Sequence, residues 1–241
     1  QKVWTSGAHD ADVLLVFVRT NPDVPKHKGI SALIVETDTP GLERRPFPDL
    51  GGPDHTDFNE VFFDDVLVPS TNLVGELNDG WRICNGALAH ERAMLWVMWS
   101  QSLDNMLDDV LEALRNTPHA DDDVVLDGLG RSIMDSHAIR LLGYRQLAKQ
   151  QRGLLPAEQS ILKLMGSEAL RDLASLALET LGAAALDQTI DTTVRFPYET
   201  DRGAVSWSDR YLFTFAGTIS GGTSEIQRNI IAERVLDLPR G

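Results

Sequence analysis

Three short stretches of the chain carry residue types at spacings that chemistry can use. The first is Glu91. Ile83, Ala87, Glu91, Met94 and Met98 are spaced 4, 4, 3 and 4 residues apart, so on a helix they share one face. A carboxylate in an apolar stripe is costly unless paired, and burial raises its pKa, which is how a protein tunes a glutamate as a general base. A structural ion pair with Arg92 or with an arginine on another helix explains the same pattern. The second is Gly221-Gly222-Thr223-Ser224. Two glycines before hydroxyl residues leave backbone N–H groups free at a helix N-terminus, where an anion or a carbonyl oxygen fits. The same residues make a plain helix cap with Thr223 or Ser224 as N-cap. The third is Trp4-Thr5-Ser6-Gly7, an aromatic ring beside two hydroxyls that suits a planar heterocycle, or else a turn with a core tryptophan.

Other candidates carry less. His9, His27, His55, His90, His119 and His137 are scattered without metal-ligand spacing and read as structural or surface residues, so no metal site is expected. Asp121-Asp122-Asp123 reads as a solvated, helix-capping run. Neither a G-x-G-x-x-G element nor a P-loop is present.

The elements that must position these residues divide into two kinds. Apolar runs at Val13–Val18, Ile30–Val35 and Phe58–Val68 are bounded by Pro- and Gly-rich segments, the signature of strands. No helical segment separates them, which disfavours parallel βαβ units. From Trp81 to Arg115 the pattern turns helical and apolar nearly all round, so this helix is expected at the centre of a bundle. Further helices are expected at about Val124–Arg152, Ala157–Leu186, Ser208–Thr218 and Thr223–Asp237, with Gly153 and Pro156 as stop and restart and Asp187–Trp207 as a long loop. The fold class is therefore α+β: an antiparallel β-domain portion (residues 1–72) followed by an antiparallel helical bundle (residues 73–241). About 70 residues of strand make a poor independent core, so the sheet is expected to pack against the bundle, a preceding segment or a second subunit.

The 241 residues hold 22 Lys and Arg against 36 Asp and Glu, a net charge of −14. That argues against nucleic acid and against anionic membranes as partners. Cys84 is the single cysteine, so no internal disulfide is possible, and no run approaches the ~20 apolar residues that span a bilayer. A cytoplasmic location is the default expectation. The chain opens on Gln1, directly into strand or turn sequence, as the back part of something longer would.

Taken together, these segments resemble the acyl-CoA dehydrogenase family. Lys2-Val3-Trp4-Thr5-Ser6 is similar to the family's strand along the flavin ring. Phe62-Phe63-Asp64-Asp65-Val66-Leu67-Val68-Pro69 is similar to its last β-domain strand, and Ile219–Arg228 with its continuation to Arg240 resembles its signature final helix. The resemblance covers the later part of the middle β domain and the C-terminal bundle, roughly the last two-thirds of a subunit. It implies FAD as cofactor, with Trp4 against the ring, Ser6 near N5, and Thr5, Thr223 and Glu225 as further cofactor contacts. It implies conversion of an acyl-CoA thioester to the 2-enoyl-CoA, with electrons passed to an electron-transfer flavoprotein or another acceptor.

Many members carry the base just before the Gly-Thr of the last motif, where this chain has Gly221. Isovaleryl- and long-chain-type members place it on the first bundle helix in a Glu-Arg pair, and here that position reads His90-Glu91-Arg92. Glu91 is thus implied as catalytic, with Arg92 and Gly221 as substrate-binding residues. Given the −14 charge, polyanionic CoA must be held by such local groups.

Two family elements are missing. The second bundle helix lacks the usual Arg-x-x-Phe-Gly over Val124–Arg131, and the Gln-x-x-Gly-Gly-x-Gly turn reads Glu179-Thr-Leu-Gly182-Ala-Ala-Ala. Both normally help complete a neighbour's flavin site. The departure implies an α2β2 assembly with a second dehydrogenase-like chain, the alternative being a homo-oligomer. Actinobacterial members of that kind act on sterol side-chain thioesters, so a bulky acyl-CoA is the expected substrate. The competing readings are a non-catalytic subunit that completes a partner's flavin site and a desulfinase-like relative without a base.

Overall fold

A computed structural model describes residues 1–53, 56–115, 117–154, 159–186 and 206–239, with the side chains of residues 89–94 outside that description. The chain forms two compact units, Gln1–Glu91 and Arg92–Gly241.

The first unit holds two antiparallel three-stranded sheets. One has β1 (Lys2–Ser6), β5 (Phe58–Phe63) and β4 (Leu42–Phe47) in that order; the other has β2 (Val13–Arg19), β3 (Ile30–Glu36) and β6 (Leu73–Val74). Strands β2 and β3 pair in continuous register from Val13↔Glu36 to Arg19↔Ile30. Strand β4 falls where sequence reading places only a Pro- and Gly-rich connection. It contains Pro46 and lies at a sheet edge, where the missing N–H interrupts no inner ladder. The strand expected to continue to Val68 ends at Phe63. Asp65 takes a left-handed φ of 49°, which turns the chain out of the pleat and leaves Leu67 86% exposed. Between strands, the Arg44 guanidinium donates to the carbonyls of Ala8, His9 and Ala11 at 2.9, 3.1 and 3.0 Å, fastening the loop that follows β1.

In the second unit, helix α1 (Gly80–Leu114, begun in the first unit) is joined by α2 (Asp123–Gln151), α3 (Gln159–Leu181), α4 (Trp207–Ile219) and α5 (Ser224–Arg234). Asp122 caps α2 by accepting from the Val124 N–H at 2.9 Å. Gly153 (φ 73°) ends it: the Leu154 and Gly153 N–H groups donate to the Lys149 and Gln150 carbonyls. A capping box between Ser206 and Asp209 starts α4.

The core gathers Trp96, Trp99, Leu103, Met106, Val110, Ile139, Leu170, Leu173 and Trp207. Two glycines permit it. A Cβ on Gly143 would lie 2.1 Å from Trp96 and one on Gly166 would lie 2.5 Å from the Trp99 ring, so α1 meets α2 and α3 through indoles against bare backbone. Arg210, fully buried on α4, donates to Asp109 of α1 at 2.9 Å and lies 4.3 Å over the Trp207 ring.

Helix α1 is central only along its later turns. Trp81, Ala87, Leu88 and Val97 are exposed and Ile83 and Cys84 are half-buried, whereas Trp96, Trp99, Leu103, Met106, Leu107, Val110 and Leu114 are buried. Apolarity around a helix shows which faces seek cover but not which faces one chain covers. Residues 187–205 of the loop expected to reach Trp207 and the restart at Pro156 lie outside the described residues, and Trp207 itself begins α4. No described helix is long and apolar enough to cross a membrane, and no described group of His, Cys, Asp and Glu could hold a metal ion.

Candidate functional site

Strand β1 is interrupted where its tryptophan sits. Lys2 pairs with Val61 but Thr5 pairs with Asn59, so one extra residue is accommodated at Val3–Trp4. Trp4 takes a left-handed φ of 63°, a conformation that costs a bulky residue ~1–2 kcal/mol. The bulge carries the indole outward: Trp4 is 65% exposed and is no core residue. Phe47 and Phe58 meet it edge-on, with centroids at 5.2 and 5.5 Å and interplanar angles of 76° and 77°. The three rings form a platform whose supporting members, from β4 and β5, have no local signal in the sequence. Buried Asn59 steadies the strand beyond it, donating to the Thr5 carbonyl at 3.1 Å and lying 3.0 Å from His9 Nδ1. Thr5 is half-buried and Ser6 exposed, and as consecutive residues of β1 they point to opposite faces of the strand.

The turn between α4 and α5 is the second locus. Gly221 and Gly222 have φ of 63° and 95°, and Thr223 caps α5 by accepting from the Ile226 N–H at 3.3 Å. Gln227, buried one turn into α5, donates its amide to the Gly221 carbonyl at 2.8 Å and to the Gly222 carbonyl at 3.4 Å. Hydrogen bonds from its own backbone N–H and from the Thr223 hydroxyl, with Arg228 and Lys163 nearby, hold the exposed Glu225 carboxyl below its ordinary pKa. Arg228 donates to Glu168 of α3 at 2.6 Å, docking α5 on α3. Gly221, Thr223 and Glu225 therefore stand together on one turn. Gln227, which shapes that turn, is not singled out by sequence reading because a glutamine in a helix has no distinctive spacing.

Glu91 and Arg92 lie on α1, where the two units divide, and their side chains are outside the described residues. On the same stripe Ala87 is exposed and Ile83 and Met98 are half-buried.

An aromatic platform on a β-domain strand and a Gly-Gly turn in a helical bundle define a class. The chain matches the family model for the acyl-CoA dehydrogenase middle domain over residues 1–66 and that for the acyl-CoA dehydrogenase C-terminal domain over residues 78–236. It belongs to the acyl-CoA dehydrogenase family, whose members are flavin-dependent oxidoreductases. It is similar to the acyl-CoA dehydrogenase IpdE1 of Mycolicibacterium smegmatis, with 37% identity over 240 residues covering all of this chain and 57% of that protein. The acyl-CoA dehydrogenase FadE34 of Mycobacterium tuberculosis is 37% identical over 241 residues, covering all of this chain and 31% of that one. Among solved structures it is similar to the Tcur3481-Tcur3483 steroid ACAD, with a TM-score of 0.85 and 29% identity over all of this chain and 60% of that chain. The ChsE4-ChsE5 complex from Mycobacterium tuberculosis gives a TM-score of 0.79 at 34% identity, covering 99% of this chain and 60% of that chain. The chain thus spans less than two-thirds of the length of each of these relatives.

Proposed function

We propose that the chain is the later part, divided at residues 72 and 73, of an acyl-CoA dehydrogenase subunit that forms the 2,3-double bond of an acyl-CoA thioester. The observation that carries this reading is the exposed, strained Trp4 platform in a chain of this family. An indole held out of the core by a bulge fits the face of a planar isoalloxazine, and the adjoining Ser6 hydroxyl fits its polar edge, with Thr5 as a further cofactor contact. FAD held there would supply the acceptor for the hydride that leaves the substrate's β-carbon. Glu91 takes the α-proton on its carboxylate, Arg92 helps position the acyl-CoA, and the Gly221 N–H donates to the thioester oxygen as negative charge develops there. Thr223 and Glu225 contact the cofactor beside that turn.

The assembly we infer is a heteromer with a second dehydrogenase-like chain, acting in the cytoplasm on a bulky acyl-CoA and delivering electrons to an electron-transfer flavoprotein or a similar acceptor. Two structural relatives, the Tcur3481-Tcur3483 steroid ACAD and the ChsE4-ChsE5 complex, support it. So does the Gly182 turn, which enters a 3-10 helix of small residues, Gly182–Leu186, in place of the family's glycine-rich element.

Glu91→Gln in the co-expressed complex tests the base. With the CoA thioester of cholanic acid as a bulky probe, butyryl-CoA as a straight one and ferrocenium as acceptor, turnover is expected to fall about 10²- to 10⁴-fold with flavin occupancy unchanged. Turnover at the wild-type rate overturns the assignment. Full flavin occupancy of this chain purified alone overturns the heteromer.

A further inference from the structure

Three polar side-chain atoms at the junction of α3 and α5 are buried without a hydrogen-bond partner among the described residues: Lys163 Nζ, Ser224 Oγ and Gln227 Oε1. Lys163 is 2% exposed and Gln227 1%. A buried ammonium is among the costliest groups to leave unpaired. Its setting adds to the cost, because α5 begins there and a helix N-terminus carries partial positive charge. Burial accordingly pulls the Lys163 pKa down, against the opposing charges of Glu168 and Glu225. Glu168 is itself engaged by Arg228, and Glu225 is exposed on the cap.

Lys163 stands on α3, and Ser224 and Gln227 stand on the first turn of α5. Arg228–Glu168 sets α5 against α3, and Ser224, four residues back from Arg228, shares its face of α5. The mutual influence of the Lys163 and Glu225 charges agrees with that alignment. The atoms are also complementary. An ammonium can only donate, an amide oxygen can only accept, and a hydroxyl does both.

We propose that Lys163 is a positioning residue for the Gly221–Gly222 turn: through one shared water, its ammonium holds the amide oxygen of Gln227 and so keeps the Gln227 NH2 on the turn's carbonyls. A glutamine amide has two orientations, and a donor-only neighbour decides between them. With the oxygen held toward Lys163, the NH2 faces Gly221 and Gly222, as observed at 2.8 and 3.4 Å. The fit leaves no slack: a Cβ on Gly222 would lie 2.7 Å from Gln227 Nε2. Because each carbonyl shares a rigid peptide plane with the next N–H, tying these carbonyls fixes the Gly222 and Thr223 peptide planes and so anchors the chain directly after the Gly221 N–H. Lys163 touches no reacting atom; it acts through Gln227.

This role rests on the reading of the turn as a donor to the thioester, but its test does not. Amide hydrogen exchange, followed by mass spectrometry on the purified complex, reads the turn directly. In Lys163→Met, exchange in the peptide spanning 219–226 is expected to rise about tenfold while peptides from the α3 core stay at wild-type rates. Gln227→Leu is expected to give the same rise, and the double variant no more than either single. Lys163→Gln, which retains a donor, restores slow exchange and keeps the test open if Lys163→Met fails to fold. Exchange at the turn within twofold of wild type in Lys163→Met, or an equal rise throughout α3 and α5, overturns the proposal. Kinetics then bear on function separately: kcat falls in Lys163→Met with KM nearly unchanged. Altered exchange with unaltered kcat keeps the strut and removes the turn from the chemistry.

Discussion

Strand β1 and the α4–α5 turn each hold the backbone in a left-handed conformation, and they do so in opposite ways. At the turn the positions are Gly221 and Gly222, which adopt φ of 63° and 95° without steric penalty, and space beside Gly222 is taken by Gln227. On β1 the same conformation is forced on Trp4, where glycine would be cheaper. A bulky residue kept at a strained position implies that its side chain is the point of the arrangement; glycine kept in a tight one implies that absence of a side chain is. Strain of the first kind is characteristic of binding surfaces. The β1 locus is thus a displayed ring, and the α4–α5 locus a shaped backbone.

Substitutions should separate these roles. Gly222→Ala carries the largest expected effect, a loss of about 1–3 kcal/mol in urea denaturation, because it combines strain with displacement of the Gln227 amide. A loss below a few tenths would mean that the turn relaxes freely and that the contrast is false. Trp4→Gly should do the reverse. Relief of strain offsets the lost edge contacts, leaving stability near wild type, while flavin affinity of the complex falls about tenfold, measured by fluorescence titration after cofactor removal. Destabilisation with unchanged affinity would make Trp4 a packing residue.

Thr223→Ala is expected to cost about 1 kcal/mol, the usual loss of an N-cap, with a larger fractional effect on the 219–226 peptide in hydrogen exchange than elsewhere. The smallest effect concerns pH. Folding holds the Glu225 carboxyl below 4.5 through its backbone and Thr223 hydrogen bonds, so the folded state favours the ionised form. That contribution is present at neutral pH and is lost as pH falls below 4.5 through the depressed value. The difference in melting temperature between wild type and Glu225→Gln should therefore shrink on acidification; a constant difference would remove the charge from the cap.

Much of this organisation is legible along the chain. Helices α1, α2 and α4 begin and end within one or two residues of the expected positions, because capping and periodicity are local properties. Strand β4 is not, because Pro46 reads as a breaker until its strand is known to lie at an edge. The first turns of α1 are apolar yet exposed, since composition cannot say what covers a face. The residues proposed for chemistry were legible as types: a glutamate on an apolar stripe, glycines before a cap, an aromatic beside hydroxyls. Their supports were not. Phe47 and Phe58 reach Trp4 only through the β1-β5-β4 order, and Asn59 reaches Thr5 and His9 across the same pairing.

By itself, then, the order of residues determined the α+β class, the bundle's helices, the family and the candidate groups, because each depends on neighbours within a few positions or on a motif read in line. Only the tertiary structure decided that Trp4 stands strained and exposed on a three-ring platform, that Lys163 lies buried on α3, and that Gln227 braces the turn that opens α5. Those facts depend on atoms distant in sequence being brought together, where left-handed strain and the desolvation of an ammonium acquire their energy.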